Sequence, residues 1–139
     1  MNTQDKTELM RILVQKKDLL TQMLGLTKQI ETELLEDRIE AFQEVIKARQ
    51  SLISQVDALN EAERAFNAGS DAAVLAAKQD IRSIVAQMLE LDEKNTTLAR
   101  QKLDSYRAQI RRLNQTKKGV GAYTRPMDQD NAYFIDANN

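Results

Sequence analysis

The chain has 139 residues, enough for one domain and too few for two ordinary ones. It contains no histidine and no cysteine, which removes disulfides, thiolate chemistry and the commonest general base and metal ligand together. An enzyme, a metal site or another cofactor is therefore not expected. The formal net charge of −1 hides a segregation: residues 1–93 carry 11 basic and 17 acidic side chains, whereas residues 94–118 carry 8 basic and 1 acidic.

Apolar residues make up 42% of the chain but aromatic ones only 4%, and Leu, Ile, Ala, Gln, Glu, Lys and Arg dominate. That is the composition of long helices and coiled coils. The opening "MNTQDKTELM" has no apolar core of signal-peptide length, and no later stretch is long enough to cross a bilayer. The expected location is cytoplasmic, or outside the cell by a route that needs no cleaved signal, without membrane insertion.

Leu9, Ile12, Lys16, Leu19, Met23, Leu26 and Ile30 succeed one another at steps of three and four, the spacing of a coiled-coil seam with one polar position. Leu13, Leu20, Leu24 and Leu34 widen this stripe, as a bundle helix needs when it touches more than one neighbour. The spacing predicts a first helix from about Thr3 to the low thirties. Gly25 lowers helix propensity by roughly 1 kcal/mol against Ala without breaking it.

A second seam follows at once, through Ile39, Phe42, Ile46, Arg49, Ile53 and Val56, with Val45, Leu52 and Leu59 beside it. No Gly or Pro separates the two. A break near "ELLEDRIE" is expected because a compact domain needs one; without it the two helices would be a single rod. Asn67, Gly69, Ser70 and Asp71 then form a clear turn signal, with Ser70 expected to cap a third helix.

In that third helix Val74, Ala77, Ile81, Ile84, Met88, Leu91, Asn95 and Leu98 keep a heptad rhythm, which slips and resumes at Leu103, Tyr106, Ile110 and Leu113. Gly119, preceded by Lys117 and Lys118, makes a helix stop suited to a left-handed cap and to the negative dipole end. The helix could exceed 40 residues, roughly 60 Å, longer than either partner can cover. Amphipathic helices cannot bury their stripes alone, so the expected fold is all-α: an elongated antiparallel three-helix bundle over residues 1–118, with a flexible C-terminal tail over 119–139.

Asn95 on the seam of the last helix is either a buried residue that fixes register or a partly wet one where the bundle ends. The slip just after it favours the wet reading. The basic run from Lys94 to Lys118 invites a nucleic-acid partner, but it lacks aromatic interleaving beyond Tyr106 and any known motif, so nucleic acid is set aside.

The more informative element is the apolar stripe of Leu98, Leu103, Tyr106, Ile110 and Leu113. Ending the bundle near Asn95 would leave it for a protein partner or for a second copy in a homodimer; otherwise the first turns, through Leu9 and Ile12, cover it. The tail holds three of the six aromatic residues, Tyr123, Tyr133 and Phe134, in a segment too short and polar for a core. These three join the candidate binding set, because aromatic anchors contribute strongly to interfaces. They serve another protein's surface or the chain's own bundle.

"LLEDRIEAFQEVIKARQSLISQVDALN" (34–60) and "LELDEKNTTLARQKLDSYRAQIRRLNQTKKGVGAY" (89–123) together resemble the flagellar export chaperones of the FlgN and FliT type. The likeness lies in the acidic leucine-rich lead into Arg49-Gln50, in Asp92 and Asn95 before a long last helix, and in Gly121–Tyr123 after it. The ending "AYFIDANN" is similar to the tails of the Gram-positive-like members. Where junction-protein chaperones often have Tyr-Gly, this chain reads Ala122-Tyr123. The resemblance implies a small cytoplasmic helical chaperone for a late flagellar substrate, a hook–filament junction or filament cap protein. It would hold that substrate's association-prone helix on its C-terminal helix and deliver it to the type III export gate.

Overall fold

The structure is a computed structural model that describes residues 2–67 and 69–116. The tail expected to be flexible, the expected stop at Gly119 with Lys117 and Lys118, and the tail aromatics Tyr123, Tyr133 and Phe134 lie outside the described residues. The chain forms α1 (Thr3–Leu35), α2 (Ile39–Glu63) and α3 (Ala72–Thr116), of 33, 25 and 45 residues. The fold class is all-α, as the heptad patterns predict. At about 1.5 Å per residue α3 is about 68 Å long.

Each helix boundary has a local cause. Asn2 caps α1, its Oδ1 accepting from the amide of Asp5 at 2.7 Å. The expected break between the first two helices is real and needs no glycine. Asp37 takes the left-handed conformation at φ 55°, its amide donates to Leu34 O at 3.2 Å, and the amide of Arg38 donates to Glu33 O at 2.9 Å. This pair of reversed bonds is a Schellman closure, in which a short polar residue stands in for glycine. Arg38 also ion-pairs with Glu33, at 3.1 Å, and with Glu36.

The third helix is capped by Asp71, not by Ser70. Asp71 Oδ1 accepts from the amides of Ala73 (3.0 Å) and Val74 (3.2 Å). Gly69, at φ 57°, supplies the left-handed residue of the preceding turn and donates its amide to Asn67 Oδ1 at 3.2 Å. The carboxylate is also the stronger acceptor for a helix start.

Contacts divide the chain into two compact units, Met1–Leu91 and Asp92–Asn139. In the first, Leu9, Leu13, Leu19, Leu20 and Met23 of α1 pack with Val56 of α2 and with Val74, Ile81 and Met88 of α3. Met10, Leu24, Leu52, Ile53, Leu59 and Phe66 close this core at its margins. Each fully buried leucine contributes on the order of 1.5–3 kcal/mol. Helices α1 and α2 run antiparallel from their tight turn, while Lys6–Asp71 (3.0 Å) and Lys17–Asp80 (3.3 Å) set α1 alongside the start of α3 in the same direction.

The single polar position foreseen on the first seam is explained here. Lys16 Nζ lies 3.2 Å from Glu63 Oε1 on α2, the pair being part-buried. Lower on α1 the seam shifts by one residue: Thr27 is fully buried, whereas Leu26 is half-buried. The Thr27 hydroxyl donates to Met23 O of its own helix at 2.8 Å, which lets a polar side chain occupy a core position.

Candidate functional site

Along α3 burial follows a strict rule and then fades. Val74, Ile81, Met88 and Asn95, seven residues apart, are all buried, while Ala77, Ile84, Leu91 and Leu98 are half-buried. Asn95 is only 1% exposed, so the partly wet reading of it is corrected. Seven-residue spacing keeps it on the same helix face as Met88, and that face is still enclosed at Asn95. The register-fixing alternative is the one compatible with such burial.

Beyond Asn95 the enclosure weakens. Leu98, Ala99, Lys102, Leu103, Tyr106, Arg107 and Ala108 are half-buried, and residues 109–115 are all exposed. Ile110 stands at 38% and Leu113 at 52% exposure. At about 100° per residue, Leu103, Tyr106, Ile110 and Leu113 share an arc of about 80°. Leu98 falls about 60° outside that arc, and half-buried Ala99 occupies the line one turn before Leu103. The expected five-residue stripe is thus a four-residue one with Leu98 on its flank.

Leu9 is committed to the cluster containing Val74, and Lys6 is paired with Asp71, so the start of α1 sits at the start of α3. Charge around the stripe is uneven. Arg100, Arg107 and Arg111 follow one line along one border, Lys102 lies at the other, and Asp104 is the one acidic residue between 94 and 116. The tail aromatics Tyr123, Tyr133 and Phe134, placed in the same candidate set, lie outside the described residues.

The Asp71 carboxyl is held below its ordinary range, first by the hydrogen bond from Lys6 and then by the amide of Val74, with smaller help from the Lys6 charge and the Ala73 amide. Glu8 is likewise lowered, chiefly by its hydrogen bond from Arg11 one turn later on α1. Among the described residues no group of three acidic side chains could hold a metal ion, and no helix is long and apolar enough to cross a membrane. The geometry defines an all-α protein with one partly uncovered amphipathic helix end. No family model, no curated protein and no solved structure matches the chain.

Proposed function

We propose that this is a non-enzymatic binding protein, a cytoplasmic flagellar export chaperone that holds an association-prone helix of a late flagellar substrate and delivers it to the type III export gate. The observation that carries the reading is the loss of cover along α3. A helix whose seam runs from buried Asn95 through Leu103, Tyr106 and Ile110 to Leu113 at 52% exposure offers the second half of a helix–helix contact. The likeness of residues 34–60 and 89–123 to the FlgN and FliT type supports the choice of partner: a hook–filament junction or filament cap protein. Basic stems beside the stripe can cover apolar area while their charges stay in water.

The test uses the exposed end, where substitution does not reach the core. Ile110→Asp with Leu113→Asp should abolish complex formation with purified junction and cap proteins in size-exclusion chromatography. Helical content by circular dichroism should stay near that of the wild type. Binding that survives the double substitution, or the failure of both flagellar proteins to bind the wild type, would remove the assignment. A wild-type chain fully dimeric at micromolar concentration, and monomeric once Ile110 and Leu113 are replaced, would instead identify a homodimeric coiled-coil spacer whose stripe pairs with its own copy.

A further inference from the structure

A second line of residues on α3, within the first unit, stands at the edge of the core. Leu75, Lys78, Arg82, Val85 and Leu89 succeed one another at steps of three and four. At about 100° per residue they share an arc of about 80° beside the buried line of Val74, Ile81 and Met88, and they run for about 21 Å. Leu75 is 48% and Leu89 61% exposed; Arg82 is exposed, and Lys78 and Val85 are half-buried. Asp80 is the one acidic residue between Leu75 and Leu89. It lies about 160° from Arg82 and pairs with Lys17 of α1, so the line is on the flank of α3 turned away from α1. No carboxylate stands three or four residues from Lys78 or Arg82, and neither forms an ion pair among the described residues. A single exposed leucine needs no partner, and a solvated helix face mixes both signs of charge. This edge carries two open leucines and two uncompensated cations, with no acid among them.

We infer that this edge docks an acidic amphipathic helix of another protein, whose apolar residues cover Leu75, Val85 and Leu89 and whose carboxylates meet Lys78 and Arg82. Steps of three and four over about 21 Å match one face of such a helix. Apolar contact supplies most of the affinity, and the two cations select the partner's charge. The stem of half-buried Lys78 can lie on apolar surface while its charge reaches a carboxylate. A second copy offering the same edge fits poorly, since it would set Lys78 and Arg82 against their own kind. The edge is separate from Ile110 and Leu113, so the inference stands without the role proposed for the end of α3.

The experiment uses the full chain and two designed peptides of about 21 residues, long enough to hold a helix. Both carry the same leucine stripe; one is edged by glutamate and the other by lysine. Fluorescence anisotropy at low salt should show the glutamate peptide binding at least about tenfold more tightly, with the gap narrowing as ionic strength rises. Leu75→Gln with Leu89→Gln, two open positions that leave the core intact, should weaken its binding at least about tenfold at unchanged helical content. Arg82→Glu should remove most of the preference between the peptides, whereas Ile110→Gln with Leu113→Gln should leave the affinity as it was. Equal affinity for the two peptides, no binding of either, or a preference untouched by Arg82→Glu would overturn the inference. So would binding lost with Ile110 and Leu113 but kept without Leu75 and Leu89, or a single-stranded oligonucleotide that displaces the glutamate peptide. A wild-type dimer in sedimentation that Leu75→Gln with Leu89→Gln dissolves would overturn it too, by making the occupant a second copy.

Discussion

At the scale of single residues, Asp37 decides where α1 stops. A left-handed backbone costs an L-residue roughly 1–2 kcal/mol, less for Asp and Asn, whose short polar side chains bond locally. Asp37 accepts that conformation so that its own amide and that of Arg38 can close on Leu34 and Glu33. A β-branched residue cannot do so cheaply, because its two Cβ substituents crowd the neighbouring carbonyls. Asp37→Val should therefore lower stability by about 1–2 kcal/mol, read from the urea midpoint, while Asp37→Gly, which takes this φ without strain, should cost less than Asp37→Val. Equal midpoints for Val and Gly would show that φ at this position does not control the turn.

At the scale of elements, charged pairs at the helix ends set which helix meets which. Asp71 does two jobs: it caps α3 through the amides of Ala73 and Val74, and it ties that cap to Lys6 on α1. Its folded-state carboxyl titrates below the ordinary Asp value, so the unfolded chain binds its proton first as pH falls. The stabilisation is thus fully present above about pH 4 and is lost as pH drops through the lowered folded value. Asp71→Asn keeps a capping oxygen but discards the charge. The melting-temperature gap between wild type and Asp71→Asn should be open near neutral pH and should shrink below about pH 4. A gap independent of pH would mean the ion pair contributes nothing. Much of this layer was legible in the sequence: the three seams, the turn signal of Asn67, Gly69, Ser70 and Asp71, and even the one polar position of the first seam, Lys16, which meets Glu63. What escaped was whatever periodicity does not encode. Asp37 carries no glycine signal for its left-handed turn, Ser70 and Asp71 are both good caps side by side, and Thr27 is buried because its hydroxyl is satisfied inside its own helix.

At the scale of the whole molecule, burial changes along α3 although it is one continuous helix. Its Val74, Ile81 and Met88 belong to the core of the first unit, whereas its last described turns have no buried side chain at all. The sequence slip after Leu98 marks the start of this change but misplaces it, because Asn95 reads as polar and wet when it is polar and enclosed. Helix propensity alone sustains isolated turns poorly in water, and tertiary burial supplies most of a helix's resistance to opening. Protection from amide hydrogen exchange should therefore be highest at 74–95, intermediate at 96–108 and lowest at 109–115, although all of them lie in one helix. Hydrogen-exchange mass spectrometry on peptides tiling α3 reads this gradient. A partner bound to the end of α3 should slow exchange most at 109–115, whose side chains are all exposed, and leave 74–88, with buried Val74, Ile81 and Met88, unchanged. Uniform protection from Ala72 to Thr116 in the free chain would mean that the end of α3 is already covered, and the surface on which the binding role depends would not exist.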